Sequence, residues 1–183
     1  MAYHHLALAT RDIQAIHHFY EGVMGFELVK VEVAKVMAGG WAKHFFYRMG
    51  GDDSCFIAFW EMHDVPGGDV FETSLSKAAG LPDEMNHIAF RVNSAAELDM
   101  RRAEWTKAGL QVMEVDHNWC TSIYTKDPND NLVEFCLTTG KFTQDDRTLA
   151  IAALHESDAH FTPPPASMKI HSADNPQANG PSI

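Results

Sequence analysis

Two stretches, His5-Leu-Ala-Leu-Ala-Thr-Arg-Asp12 and His87-Ile-Ala-Phe-Arg-Val-Asn-Ser94, decide the fold of this chain. Each begins with a histidine, reads as a strand and ends at a residue that can cap a helix. A helical pattern follows each stretch, and then come a glycine and a second strand, at Gly25-Phe-Glu-Leu28 and at Gly109-Leu-Gln-Val112. Similarity of this kind within one chain indicates a duplicated unit.

Both helices of the repeat carry local signals for where they begin and end. Asp12 is placed to cap the first helix, and Ser94 with Glu97 forms a capping-box pattern before the second. Gly25 and Gly109 are placed to end them. The first helix has one apolar stripe, which predicts packing against a sheet and consists of Ile13, Ile16, Tyr20 and Met24.

Each half of the chain ends in two strands joined by a turn. The predicted strands are 44–48 and 55–61 in the first half, and 121–125 and 132–137 in the second. Each half therefore reads βαβββ. The predicted fold class is α+β, built from two βαβββ modules.

The predicted modules cover residues 1–62 and 83–139, with a linker at 63–82. Residues 140–183 are expected to add a C-terminal helix, capped by Thr143 and Asp146 and running to about Ser157, and then an extended or disordered tail. The whole is expected to be one domain.

Composition excludes several classes of function. The 183 residues include 25 acidic and 14 basic side chains, for a formal net charge of -11, which argues against binding to nucleic acid or to anionic membranes. Apolar stretches are too short to span a bilayer, and no signal peptide is visible. Three widely spaced cysteines give neither a disulfide framework nor a zinc knuckle, so we expect a reducing, cytoplasmic setting.

Three residues are candidate metal ligands. The repeat puts His5 and His87 at equivalent positions, and Glu134 is the only charge in the apolar run 131–137. A lone carboxylate in a buried strand is costly unless it is paired or bound to a metal. Two histidines and one carboxylate favour non-haem Fe(II), because this facial set leaves positions open for substrate and O₂. The alternatives are Mn²⁺, Zn²⁺ and Ni²⁺.

These motifs resemble the vicinal oxygen chelate superfamily, which includes glyoxalase I, methylmalonyl-CoA epimerase, bleomycin-resistance proteins and type I extradiol dioxygenases. The matching elements are His5-Leu-Ala-Leu with Asp12, Phe19-Tyr20, Met24-Gly-Phe26 and His87-Ile-Ala-Phe with Val92. The resemblance covers about residues 3–138 and implies that the eight strands form a half-open barrel around a metal. Since dimers are common among relatives, it also implies a homodimer or higher homo-oligomer.

A narrower resemblance concerns the dioxygenase branch. The run Val115-Asp-His117, then Ile123-Tyr124, Asp127-Pro-Asn-Asp130 and Glu134 is similar to that branch's signature, except that Asp130 stands where glycine is usual. Aspartate tolerates a left-handed turn, so we expect the hairpin to survive the change. The match implies that His117 and Tyr124 hydrogen-bond metal-bound substrate and oxygen, and that Glu134 binds the metal.

One departure concerns proton delivery. Two-domain extradiol enzymes often carry an acid–base histidine in a pattern that resembles Phe71-Glu-Thr-Ser-Leu75, so Phe71 stands where that histidine would be. This puts extradiol cleavage in doubt unless His63 or His117 substitutes. Trp60, His63 and Phe71 are the candidate substrate-pocket residues.

A fourth metal ligand distinguishes the glyoxalase and epimerase relatives. They usually take it from the last strand of the first module, where Ala58 stands at the matching position and Glu61 points to the opposite face. Three ligands favour a dioxygenase for a small, catechol-like aromatic and O₂. The alternatives are a metal-dependent isomerase or lyase and a ligand-sequestering resistance protein. His4 is expected to face away from His5 and to be structural.

Overall fold

The nine described strands form two open sheets, so the α+β class is confirmed. The computed structural model describes residues 4–51, 54–158 and 161–174. The strand orders are β1-β4-β3-β2 in the first sheet and β5-β8-β7-β6-β9 in the second. The described part contains no helix that is long and apolar enough to cross a membrane.

The first sheet follows the predicted β-α-β-β-β order. Its elements are β1 (His5–Thr10), α1 (Ile13–His17), a π-helical continuation (His18–Val23), β2 (Glu27–Lys35), β3 (Trp41–Arg48) and β4 (Phe56–His63). The Asp12 side chain accepts from the Ala15 N–H at 2.9 Å and so caps α1 as predicted. The four residues of the predicted stripe are all buried.

The second module repeats this order after a short helix, α2 (Leu75–Ala78). Its elements are β5 (His87–Arg91), α3 (Ala95–Lys107), β6 (Val112–Asp116), β7 (Cys120–Lys126) and β8 (Leu132–Thr138). Ser94 caps α3, whereas the Glu97 carboxylate accepts from the Asn93 N–H rather than closing a box on Ser94. Asp130 has φ 62°, so the aspartate does occupy the left-handed turn where glycine is usual.

The C-terminal region corrects the sequence prediction. Helix α4 (Gln144–His155) has the predicted Thr143–Asp146 capping box and ends two residues before Ser157. The following segment was expected to be only an extended tail, but Ser167–His171 forms a ninth strand, β9, antiparallel to β6. Ion pairs from Lys169 and His171 to Glu114 of β6 accompany this pairing. The predicted tail beyond residue 174 lies outside the described residues.

The helix-bearing faces of the two sheets meet in one hydrophobic core. The Trp105 indole N–H donates to the Met24 sulfur at 3.3 Å, and the Phe26 and Phe90 rings pack edge to face at 5.2 Å. The buried Tyr20 hydroxyl donates to Asp127 at 2.9 Å. Because successive strand residues alternate between faces, the opposite face of each sheet carries His5 and His87.

Candidate functional site

His87 and Glu134 form the centre of the site on the second sheet. Strands β5 and β8 run parallel with Ala89 opposite Glu134, so His87 and Glu134 share a face. The His87 Nε2 lies 3.3 Å from the Glu134 Oε2. Glu134 is 5% exposed, whereas the His87 side chain is 40% exposed. The pair is therefore a buried carboxylate beside an imidazole that opens to one side.

The tautomer of His87 tests whether a metal fits between these atoms. The His87 Nδ1 lies 3.3 Å from the backbone oxygen of Glu84, which can only accept, so Nδ1 donates. In a neutral His87 imidazole the Nε2 then carries no hydrogen, and its lone pair points toward the Glu134 carboxylate oxygen. Two ligands of one metal at right angles, with bonds of about 2.1 Å, are about 3 Å apart. A bound cation fits this pair.

Ser122 and Tyr124 hold the carboxylate from the neighbouring strand β7. The buried Ser122 hydroxyl donates to the Glu134 Oε1, the oxygen that does not face His87. Tyr124 lies opposite Glu134 in the ladder. Burial, and to a smaller extent the Glu134 charge, raises the pKa of Tyr124, although a hydrogen bond with Ser122 acts in the other direction. The phenol therefore keeps its proton at neutral pH.

His117 and Tyr124 come together beside this pair. The His117 Nε2 lies 3.0 Å from the Tyr124 hydroxyl. The Tyr124 ring lies edge to face with both His117 and His87, with a centroid distance of 6.3 Å in each case. The structure thus brings four of the sequence-predicted residues into one cluster: His87, Glu134, His117 and Tyr124. In this cluster the Tyr124 hydroxyl can hydrogen-bond the His117 imidazole and a bound molecule.

His5 lies on the first sheet, at the start of β1. Its ring packs edge to face with Phe46 at 5.7 Å and with His44 at 6.1 Å. In the described parts of the chain, no three or more His, Cys, Asp or Glu side chains come together as a metal site. A single chain therefore does not bring His5 to His87 and Glu134, and the three-ligand set stays a prediction.

His4 corrects the sequence analysis. It was expected to face away from His5, but its Nδ1 lies 2.9 Å from the Nδ1 of His5, and its ring packs on Phe56 at 5.4 Å. Strand alternation does not apply, because β1 begins only at His5. A hydrogen bond between the two Nδ1 atoms leaves the Nε2 of His5 available for a ligand.

His44 is a residue beside His5 that the sequence analysis did not single out. It lies on β3, is 6% exposed, and stacks on Trp60 with centroids 3.7 Å apart and planes 13° apart. Its Nε2 is buried without a hydrogen-bond partner among the described residues, which costs about 1–3 kcal/mol when nothing is bound. Burial, and secondarily His5, lowers the pKa of His44. The available signal was a histidine directly before the aromatic run Phe45-Phe-Tyr47 of β3.

The predicted pocket residues separate. Trp60 pairs with His44 across β3 and β4 and shares the His5 face. His63 lies on the other face, where it stacks on Trp41 at 3.9 Å and contacts Glu61 at 2.9 Å. Phe71 is half-buried in the segment between β4 and α2.

The predicted fourth-ligand position also lies in β4. Ala58 is fully buried opposite Phe46, on the His5 face. Glu61 contacts His63 and Lys43, which lie on the opposite face as the sequence predicted. The His5 face of β4 therefore carries no carboxylate at either position.

Comparisons with known proteins agree with this fold. The profile of the Glyoxalase/Bleomycin resistance protein/Dioxygenase superfamily matches residues 2–135. No curated protein matches the chain. A glyoxylase/bleomycin resistance protein/dioxygenase domain from Frankia sp. EAN1pec superposes with a TM-score of 0.57 and 16% identity, over 75% of this chain and 98% of that one.

Two further solved structures have the same fold. The fosfomycin resistance protein FosX from Listeria monocytogenes has a TM-score of 0.52 and 19% identity, over 80% of this chain and 98% of that one. The antibiotic-binding protein TnmS3 from Streptomyces sp. CB03234 has a TM-score of 0.52 and 13% identity, over 76% and 97%. The chain belongs to the Glyoxalase/Bleomycin resistance protein/Dioxygenase superfamily.

Proposed function

We propose that this protein is an Fe(II)-dependent dioxygenase that opens the ring of a small, catechol-like aromatic by extradiol cleavage. The observation that carries the proposal is the His87–Glu134 pair, at the spacing of two metal ligands, beside the His117–Tyr124 hydrogen bond. Both atoms of O₂ enter the product of such a cleavage, so no external reductant is needed.

The donor set supports oxygen chemistry over a glyoxalase-type isomerisation. His5, His87 and Glu134 would hold the ion, and Ala58 adds no fourth donor. An Fe(II) ion held there would supply the electron transfer that couples a catechol to O₂. A glyoxalase-type site needs a further carboxylate to move a proton, and Glu61 instead contacts His63 and Lys43.

The residues of the second sheet would orient the reactants. Tyr124 keeps its proton and would donate a hydrogen bond to a bound oxygen, while the His117 Nε2–H would donate to the same hydroxyl. Ser122 fixes the direction of the Glu134 carboxylate. His117 would also deliver the proton that other extradiol enzymes take from the histidine that Phe71 replaces.

The proposal includes a homodimer. The His5 ring contacts only its own sheet in the contacts described above, while the His87 side chain is 40% exposed. Helix α4 buries none of its residues and exposes Leu149, Ile151 and Leu154. A two-fold pair of chains would let His5 of one copy meet His87 and Glu134 of the other, twice in each dimer.

Mixing two inactive variants tests this arrangement. A His5→Ala chain and a His87→Ala chain are co-expressed, so that half of the dimers that form contain one chain of each kind. Each such mixed dimer has one intact site out of two, so about a quarter of wild-type activity should return. Mass spectrometry establishes that mixed dimers are present. If they are present and no activity returns, the shared site is contradicted, and the metal chemistry is then tested separately from it.

Oxygen uptake tests the reaction. Protein loaded anaerobically with Fe(II) should bind about one iron per chain and consume O₂ with a catechol, giving a coloured ring-cleaved product. The same protein loaded with Zn(II) is the control and should consume none. Tight Zn(II) or Ni(II) binding with no O₂ uptake by the iron form, over a broad panel of catechols, would contradict the proposal.

A further inference from the structure

Strand β2 leaves one edge of the first sheet open. It is the last strand in the order β1-β4-β3-β2, and within the described part of the chain it pairs only with β3. Every residue from Val29 to Lys35 is exposed. An edge strand presents a row of unpaired N–H and C=O groups, and native proteins keep such edges short because they invite pairing with another chain. At nine residues, β2 is long for an unpaired edge.

The side chains of β2 form an apolar stripe and a charged stripe. Val29, Val31 and Val33 are 38%, 43% and 65% exposed, which is unusual for three valines of one strand. Lys30 and Glu32 alternate with them and contact each other at 2.7 Å on the opposite face. The edge is therefore apolar on one face and carries one charge of each sign on the other.

This pattern is complementary to itself. Two copies of β2 can pair antiparallel about a two-fold axis at Val31, so that residue 31 lies opposite residue 31 of the second copy. Lys30 then lies opposite Glu32 of the second copy, and Val29 lies opposite Val33 of the second copy. Opposite charges and β-branched side chains at directly opposite positions stabilise an antiparallel pair. All six valines would form one continuous stripe.

Neighbouring registers lack this match. An axis at Lys30 or at Glu32 places that residue opposite its own copy, and like charges directly opposite each other are destabilising. An axis at Val33 places Glu32 opposite Ala34 and forms no ion pair between Lys30 and Glu32. The charges of β2 therefore select the register at Val31, in the way that side-chain patterns fix strand register.

We propose that β2 is an interface between two copies of this chain, paired edge to edge and antiparallel about a two-fold axis at Val31. Such a contact closes on itself and covers the open edge of both copies. It goes beyond the proposed function and does not rest on it, because β2 and the His5-bearing strand β1 are opposite edges of the first sheet. A chain that forms both this contact and the one proposed for the metal site assembles as a tetramer.

Oxidative crosslinking reads the register directly. Residues directly opposite in an antiparallel pair have Cα atoms about 4.5–5.5 Å apart, which is within the reach of a disulfide. A Val31→Cys chain treated with oxidised glutathione should therefore form a covalent dimer. Val33→Cys is the matched control, because residue 33 of the second copy is displaced by four residues, about 14 Å along the strand. The wild type should not crosslink, since its Cys55, Cys120 and Cys136 lie outside β2.

Charge reversal tests the ion pairs between the copies. Lys30→Glu makes both charged positions acidic and Glu32→Lys makes both basic, so each variant alone faces like charges across the axis. Its dissociation constant, from analytical ultracentrifugation, should rise at least about tenfold. An equimolar mixture of the two variants should return to the wild-type mass, although the repulsion within each strand is unchanged. Lys107→Glu, at the exposed end of α3, has the same charge change and should assemble as wild type.

The expected result is a crosslink at residue 31 but not at residue 33, together with recovery of the assembly on mixing. A monomeric wild type, no crosslink at residue 31, an equal crosslink at residue 33, or no recovery in the mixture of folded variants would each overturn the edge pairing. Circular dichroism establishes that every variant is folded. Iron and O₂ take no part in these measurements, so failure of the dioxygenase proposal leaves their outcome unchanged.

Discussion

The two βαβββ modules share one plan but carry different parts of the site. On the second sheet, His87, Glu134, Ser122 and Tyr124 already form contacts with one another. On the first sheet, His5 lies near the aromatic side chains of Phe46 and His44. Ala58 lies on the same face as His5, and the Glu61 carboxylate lies on the opposite face.

The difference shows what duplication permits. The two modules share one histidine at the start of their first strand. The other residues on the same face of each sheet differ between the modules. The second module carries the carboxylate and its hydrogen-bond support, which under the proposed function would hold the metal. The first module instead places aromatic side chains around His5.

Removing a ligand of the second module should have the largest effect. His87→Ala or Glu134→Ala leaves a two-donor set, so iron affinity should fall at least about 100-fold in an anaerobic competition assay. His18→Ala, at an exposed position of the helix in the first module, is the control histidine and should bind iron normally. Wild-type affinity in His87→Ala would show that the ligand pair is misplaced.

Tyr124→Phe should separate orientation from metal binding. It removes the hydroxyl that His117 contacts at 3.0 Å, so kcat for O₂ uptake should fall about 100-fold while iron affinity stays within about twofold. Steady-state kinetics at saturating catechol measure the change. An unaltered kcat would mean that this hydroxyl has no part in the reaction.

Ser122→Ala should give a smaller loss of metal affinity. The Ser122 hydroxyl donates to the Glu134 oxygen that does not face His87, and such support for a ligand is worth about tenfold in affinity. Thr121→Ala is the matched control, because Thr121 neighbours Ser122 in β7 and so lies on the opposite face. Equal affinities for the two variants would contradict this role.

Tyr20→Phe tests the contact between the modules and should leave the metal site unchanged. It leaves the buried Asp127 without one donor, so the free energy of unfolding should fall by about 1–3 kcal/mol in urea titrations. Tyr47→Phe is the comparison, because its partner His17 is half-buried and can take water instead, so its loss should be smaller. A larger loss for Tyr47→Phe would reverse this ranking.

Sequence signals that act over a few residues predicted the fold well. Asp12, Ser94 and Thr143 each cap the helix that follows, because a cap depends only on the next turn. Asp130 takes the left-handed turn for the same local reason. The pairing of His87 with Glu134 also followed, because the repeat fixed the strands that carry them.

Features that depend on distant partners could not be predicted. Strand β9 is a five-residue run in which Met168 and Ile170 alternate with polar residues, and a run this short is a weak signal by itself. Its pairing depends on Glu114 of β6, 55 residues before Lys169. The unpaired nitrogen of His44 is visible only once Trp60 covers it. His4 was misjudged because the residue at which β1 begins decides which way it points.

An anomalous-difference map from a crystal of the iron-loaded protein tests the central claim most directly. The account predicts one iron peak per chain, bound by the Nε2 of His87, by Glu134 and by His5 from a second copy, with no fourth protein ligand. An iron peak away from the His87–Glu134 pair, or one that Glu61 also ligates, would contradict it.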